Sequence, residues 1–135
     1  MPANVQWIDH VPTRDHNALN SSALSVLNVN RESMAANGFS PPTRVFEAAG
    51  AGACLITDAW EGIEHFLKPD HEVLVARDGQ DVVAHLRSLT PERAHEIGRH
   101  AFARVIAEHT YTRRGGQVDA ILREEFAARR ERSVA

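Results

Sequence analysis

The strongest constraint on the fold is a short apolar run at residues 53–57, with the sequence ACLIT. Its side chains are apolar on both faces, so a strand formed there must be covered on both sides. The glycines of residues 50–52 precede the run, and turn residues 58–62 follow it. Double coverage is typical of a parallel sheet with helices on each face. The run therefore predicts a central parallel strand in an α/β domain.

Further strands and helices are predicted to alternate around this run. Alternating or β-branched residues predict strands at residues 5–9, 24–29 and 72–76. Thr43 is predicted to cap a helix that begins at Arg44, after two prolines that cannot continue an earlier helix. Apolar spacing and helix stop signals predict helices at residues 14–22, 31–36, 44–49, 62–67, 80–89 and 91–109. A last helix is predicted after residue 112, with Val118, Ile121, Leu122 and Phe126 on one face, and it runs into the polar residues 129–132. This order predicts a layered α/β domain with a mostly parallel sheet.

Size and charge narrow the classes of function. A chain of 135 residues with 43% hydrophobic content fits one domain with a single core. Its formal net charge of −3 provides no general basic field, which disfavours nucleic acid as a partner. No window reaches the roughly 18 apolar residues of a membrane span, and the first residues lack the pattern of a secretory signal. We therefore expect a cytoplasmic protein.

Cys54 is the single cysteine, so no intrachain disulfide can form. Its position in the apolar run predicts a buried, inert thiol, with a reactive thiol as the alternative. The eight histidines show no ligand spacing with Cys54 or with carboxylates, so no metal site is predicted.

The segments at the carboxyl edge of the predicted sheet contain the best candidates for a binding site, because ligands of open parallel sheets bind there. Ser40 and Thr43 lie in a loop that leads into a helix N-terminus, where free amides and the helix dipole attract anions. Arg44 adds a planar cation that suits phosphate oxygens. Glu47 follows on nearly the same helix face, and its carboxylate can accept two hydrogen bonds from a vicinal diol such as ribose. The alternative is that Arg44 and Glu47 pair with each other.

Two further segments at this edge have both a binding and a structural interpretation. Asp58 and Glu61 flank Trp60, so the carboxylates could bind sugar hydroxyls while the indole stacks on a ring. The alternative is a capped turn with a packing tryptophan. Arg31 ends the preceding strand and could bind a diphosphate beside the Ser40 loop, or it could pair with a neighbouring carboxylate.

Four motifs follow one another along the chain: LNVNR at residues 27–31, GFSP at 38–41, RVFEAAGAGA at 44–53 and ITD at 56–58. Their order resembles the C-terminal region of CgeB-like glycosyltransferases, the spore maturation protein type with a GT-B fold. The resemblance continues through residues 62–74 and 109–113, to about Leu122.

The resemblance implies a Rossmann-like sheet with helices on both faces. Residues 1–122 would be a partial GT-B C-terminal domain that binds a nucleotide-diphosphate sugar, and residues 123–135 a helix end that frays. Glu47 would hold the ribose of the donor, with Arg44, Thr43, Ser40, Arg31 and Asp58 around the diphosphate and sugar. Phe39 stands where many retaining members have a second glutamate, so that role cannot be transferred. The resemblance and the lack of a DxD pair imply transfer without a metal ion.

The same resemblance leaves the catalytic residues unassigned. In the GT-B fold, an N-terminal domain supplies most acceptor-binding and catalytic groups, so this chain alone is expected to be inactive. If these residues are the entire polypeptide, we expect self-association or strand exchange across an open sheet edge. The alternative is a non-catalytic protein-binding or assembly module derived from a glycosyltransferase. A response-regulator-like domain is disfavoured, because no acidic cluster follows the first strand and Lys68 is the only lysine.

Overall fold

The computed structural model describes residues 2–134 of the chain. The strands are β1 (Val26–Asn28), β2 (Leu55–Asp58) and β3 (Leu74–Ala76). The helices are α1 (His16–Ser22), α2 (Glu32–Asn37), α3 (Thr43–Gly50), α4 (Gly79–Ser88), α5 (Pro91–Glu108) and α6 (Tyr111–Val134). Single 3-10 turns form at Thr13–Asp15 and Ile63–His65.

The sheet is parallel, and β2 lies between β1 and β3. Val26 is in register with Leu55, and Ile56 is in register with Leu74. The predicted central strand and the predicted α/β class are therefore confirmed. A parallel sheet flanked by helices is consistent with part of a Rossmann-like domain.

Two separate core clusters explain why β2 needs apolar residues on both faces. Leu55 belongs to one cluster, which includes Val45 and Val105 from α3 and α5. Ile56, the next residue, belongs to the other cluster with Ile97 from α5. Because successive strand residues point to opposite faces, one apolar run supplies both halves of the core.

The predicted strand at residues 5–9 is wrong, because this segment has no strand structure. Trp7 is 71% exposed, and Val5 and Ile8 are also exposed. In the part of the chain that the structure describes, β1 pairs with β2 alone, so residues 5–9 do not pair with the free edge of β1. A segment of strand-forming residues becomes a strand when it pairs with a neighbouring strand, and its sequence pattern alone is not enough.

The predicted cap at Thr43 is also wrong. The helix begins at Thr43 itself, Pro42 occupies the cap position, and no side chain caps this end. Pro42 has a φ of −68° and its carbonyl accepts a hydrogen bond from the amide of Val45 at 3.1 Å, which places Thr43 in the first turn. By contrast, Thr90 caps α5 through a 3.2 Å bond from the amide of Arg93, as Thr90-Pro91 indicates.

The apolar side chains of α6 do not pack as the sequence pattern predicts. Val118, Ile121, Leu122 and Phe126 all remain exposed. The helix itself continues through Val134, so the expected fraying near its end stays a prediction. Within residues 2–134, no helix combines the length and apolar character needed to cross a bilayer.

Helix α5 packs tightly at Gly98 against the turn before β2. A Cβ atom at this position would overlap the carbonyl oxygen of Gly52, in the turn between α3 and β2. Hydrogen is therefore the one side chain that fits, and Gly98 lets α5 pack directly on this turn.

We predict that Gly98→Ala lowers the free energy of unfolding by about 2–3 kcal/mol, because the backbone of Gly52 must move. Urea denaturation measures this change. Gly116→Ala is the matched control, since a Cβ at Gly116 in α6 meets nothing within 4 Å. Equal stability of Gly98→Ala and the wild-type chain would show that α5 does not pack as described.

Candidate functional site

Polar side chains at the carboxyl edge of the sheet hold β1 and β2 together. Asn28 is buried, and its Nδ2 donates to the Oγ1 of Thr57 at 3.2 Å and to the Oδ1 of Asn30 at 3.0 Å. Asp58 accepts from the Asn30 amide at 3.0 Å and from the Thr57 hydroxyl at 3.3 Å, both through Oδ1. Asp58 therefore fixes the segment after β1 through Oδ1, and this role does not involve Oδ2.

The loop that contains Ser40 is anchored to the loop after β2. The Phe39 amide donates to the carbonyl of Glu61 at 2.6 Å, and the Phe39 ring packs on Gly62 and lies 5.5 Å from the His65 ring. Phe39 has a φ of 46°, which is unusual for a residue other than glycine. These contacts fix the backbone immediately before Ser40.

Arg44 and Glu47 line one cavity of about 350 Å³, which we call the Arg44 cavity. Both side chains are exposed. Neither makes an ion pair or a side-chain hydrogen bond with the part of the chain that the structure describes, so they do not pair with each other. The other lining residues come from α1, β1 and the segment before α1: Val11, His16, Leu19, Asn20, Val26 and Leu27.

Glu47 also lines a second cavity, of about 370 Å³, on the side of α3 that faces the start of α6. We call it the His109 cavity, and its other lining residues are Thr43, Phe46, His109, Tyr111 and Arg114. Glu47 is the residue that the two cavities share, so a group bound to its carboxylate has access to both.

The structure thus brings three of the six predicted residues together on α3: Thr43, Arg44 and Glu47. Ser40, Arg31 and Asp58 line neither cavity. Arg31 directly precedes α2, where its carbonyl accepts from the amides of Met34 and Ala35 at 2.9 and 3.1 Å. Its side chain is exposed. Arg31 and Ser40 follow β1, and Asp58 is the last residue of β2, at the same edge of the sheet.

Trp60 packs in the core, as the structural interpretation of this loop predicts. It is 6% exposed, and its ring centroid lies 5.9 Å from that of Phe66. Its Nε1 has no hydrogen-bond partner in residues 2–134. A buried indole cannot stack on a sugar, so that interpretation of Trp60 is wrong.

Sequence reasoning missed His109, Tyr111 and Arg114, which form one wall of the second cavity. His109 is bonded through both ring nitrogens, to the carbonyl of Phe66 at 2.9 Å and to the guanidinium of Arg114 at 2.7 Å. The available signal was the break between α5 and α6 at residues 109–110. Nothing in the local pattern predicts that this break lies beside α3.

The histidines form no metal centre with the neighbouring acids. Across residues 2–134, no group of three or more His, Cys, Asp or Glu side chains is arranged to hold a metal ion.

Cys54 is 2% exposed and lies in the core cluster of Ile56. Burial raises the pKa of the Cys54 thiol to about 11, and the positive charge of Arg93 opposes this effect in part. Because the thiolate is the nucleophile, a raised pKa and burial both make this group inert.

We predict that Cys54 reacts with Ellman's reagent at pH 8 more than about 100-fold more slowly in the folded protein than in guanidinium chloride, where its pKa returns to about 8.5. Absorbance of the released thiol measures both rates. The unfolded chain is its own control, since Cys54 is the single cysteine. Equal rates would mean that the thiol is exposed or activated.

Comparison with known proteins identifies a family for most of the chain. A family model described as glycosyl transferase-like matches residues 2–122. No curated protein sequence matches the chain. The matched residues include the whole sheet, helices α1 to α5 and every residue that lines the two cavities at α3. The chain therefore belongs to the glycosyl transferase-like family.

Proposed function

We propose that this chain is the portion of a CgeB-like glycosyltransferase that binds a nucleotide-diphosphate sugar. The observation that carries the proposal is the pair of Arg44 and Glu47, which line one cavity with opposite charges and no partner in residues 2–134. Membership of the glycosyl transferase-like family makes an activated sugar the natural ligand of this edge of the sheet.

Arg44 and the start of α3 would bind the diphosphate. The first amides of a helix lack acceptors within the helix, and the helix dipole adds a partial positive charge. Arg44 lies in this first turn, so a full charge adds to the partial one. Thr43 and Ser40 offer hydroxyl groups, and Arg31 a second guanidinium, to the same anion. Since amides and guanidinium groups neutralise the leaving diphosphate, we propose that binding and transfer require no metal ion.

Glu47 would bind the ribose of the donor. Its carboxylate accepts two hydrogen bonds from adjacent hydroxyl groups, and such charge-assisted bonds are stronger than bonds between neutral groups. The side chain is exposed and has no competing partner in the described part of the chain. Asp58 would contact the sugar through Oδ2, because Oδ1 already accepts two bonds from the protein.

The role of these residues is therefore to bind and orient the donor. They would hold the diphosphate at the start of α3, with the ribose against Glu47 and the sugar towards Asp58. We assign no residue of this chain to proton transfer or nucleophilic attack. The acceptor and the catalytic groups would come from another domain or subunit, so the chain alone would be inactive.

One observation favours a competing function as a non-catalytic protein-binding or assembly module. In residues 2–134, β1 has a neighbouring strand on one side alone, and Leu27 and Val29 are exposed at this edge. Unpaired edge strands are common sites of protein association. This function predicts no affinity for a nucleotide sugar, so the next experiment separates the two proposals.

We predict that Glu47→Ala weakens binding of the matching nucleotide-diphosphate sugar by about 1–3 kcal/mol, or roughly 5- to 150-fold, through loss of charge-assisted bonds to the ribose. Calorimetric titration of UDP-, GDP- and TDP-sugars measures the affinity. Glu124→Ala, an exposed glutamate of α6 outside both cavities, is the control. Equal affinity of Glu47→Ala and wild type would remove Glu47 from the site, and no binding by wild type would favour the competing module.

We also predict that donor affinity is unchanged, within about twofold, when EDTA replaces added magnesium in the titration, because arginines and amides neutralise the diphosphate. The wild-type chain is titrated with and without chelator at constant ionic strength. A tenfold loss of affinity in EDTA would contradict metal-independent binding.

A further inference from the structure

The His109 cavity has a floor of packed rings. The centroid of Phe46 lies 5.4 Å from that of His109 and 5.8 Å from that of Phe66, and the two phenylalanine rings meet edge to face. His109 and Phe66 are 5.9 Å apart. Each ring contacts the other two, which restricts its rotation. Phe46 and His109 line the cavity, and Phe66 packs against both of them from the loop after β2, so the two lining rings are held in place.

Two hydrogen bonds fix the orientation of His109 and Arg114 in this wall. A carbonyl oxygen accepts and a guanidinium donates, so Nε2 of His109 donates to Phe66 and Nδ1 accepts from Arg114. Arg114 also donates to the Oε1 of Gln117 at 3.2 Å, and its Cζ lies 5.9 Å from the centroid of Phe66. Two of its five N–H groups are used in these bonds, so three remain for a ligand.

Tyr111 stands at the rim of the same cavity without a role in the fold. It is 95% exposed, although it lines the cavity with Phe46 and His109. An aromatic ring at the rim of an apolar cavity offers a face for stacking a planar ligand. The Arg44 cavity is lined by no phenylalanine, tyrosine or tryptophan, and its one aromatic ring is that of His16, which is bonded to the carbonyl of Val11 at 2.8 Å.

We propose that the His109 cavity binds the nucleobase of the donor, an inference that rests on the proposed binding of ribose by Glu47. Glu47 lines both cavities, so a ribose on its carboxylate directs the base to one cavity and the diphosphate to the other. The base lies between the packed rings and Tyr111. A volume of about 370 Å³ is within the range of roughly 300–1,000 Å³ that is usual for small-molecule sites.

Arg114 determines which bases the cavity accepts. A guanidinium donates to acceptor atoms at the edge of a base and pairs well with carbonyl oxygens, as in its bidentate contact with guanine. Uracil, thymine and guanine each present a carbonyl oxygen, whereas adenine presents none. The preferred ligands are therefore UDP, TDP or GDP derivatives, with ADP bound more weakly.

Ligand-detected NMR titrations of the full 135-residue chain test this inference, with UDP, TDP, GDP, ADP and inorganic pyrophosphate as probes. The variants are Tyr111→Ala, Tyr111→Phe, Arg114→Ala and Glu47→Ala, all at exposed positions that leave the core intact. Arg113→Ala is the matched control, because Arg113 is adjacent to Arg114 but does not line the cavity.

We expect at least one of UDP, TDP and GDP to bind more tightly than ADP. Tyr111→Ala should weaken that nucleotide by roughly 5- to 100-fold, since the stacking face is lost, and Tyr111→Phe should restore it to within about twofold. Arg114→Ala should weaken it by about tenfold and remove the preference over ADP. Arg113→Ala should leave the affinity for every nucleotide unchanged. Pyrophosphate should bind the Tyr111 and Arg114 variants with the same affinity as the wild-type chain.

The inference is overturned if Glu47→Ala weakens the nucleotide while Tyr111→Ala and Arg114→Ala do not, a result that leaves the proposed function in place. It is also overturned if pyrophosphate loses as much affinity as the nucleotide in those variants, because the cavity would then bind the diphosphate. Absence of any nucleotide binding by the wild-type chain would reject the proposed function and the base site together.

Discussion

The burial of β2 on both faces is the constraint on which the rest of this structure depends. Leu55 and Ile56 are adjacent in sequence, yet each belongs to a different core cluster. Helices α3 and α5 must therefore approach the strand closely, and α5 does so through Gly98 against the backbone of Gly52. Gly52 also belongs to the turn that ends α3, where its amide donates to the carbonyl of Ala49 at 3.0 Å, so this contact joins α5 to the connection between α3 and β2.

The orientation of α3 then follows from its own small residues. Val45, Ala48 and Ala49 are fully buried, at the spacing of one helix face. Arg44 and Glu47 fall on the remaining surface, and both are exposed. The alanines permit a short distance between α3 and the sheet, while the charged pair remains in contact with solvent. The same packing that stabilises the domain thereby places two unpaired charges beside the Arg44 cavity.

The local sequence predicts those parts of the site that one helix or one strand determines. It does not predict the parts that several helices and strands form together. The three-residue spacing of Arg44 and Glu47 is enough to place them on one helix face, and the apolar run around Cys54 is enough to identify a central strand. The strand expected at residues 5–9 needed a neighbour that its own pattern could not provide. His109 is 62 residues beyond Glu47 in sequence, and tertiary packing on Phe46 and Phe66 brings the two to one cavity. The spacing of apolar residues within α5 and α6 does not predict that His109 lies beside α3.

The polar groups at the carboxyl edge of the sheet form two sets, buried groups that bond within residues 2–134 and exposed groups that do not. Asn28 and Thr57 are buried, and an unpaired buried group costs about 1–3 kcal/mol, so they bond to each other and to neighbouring residues. The same holds at the amino edge of the sheet, where buried Glu72 accepts from Arg104 at 3.1 Å and from the Lys68 amide at 2.8 Å.

Arg44 and Glu47 differ from these buried groups, because water solvates them and they cost no free energy when they lack a protein partner. A bond between them would contribute a few tenths of a kcal/mol. Charge-assisted bonds to a diphosphate or a diol contribute roughly 1.5–3 kcal/mol each, so a ligand meets little competition from the protein itself. A ligand can therefore bind these two side chains without breaking a bond within residues 2–134.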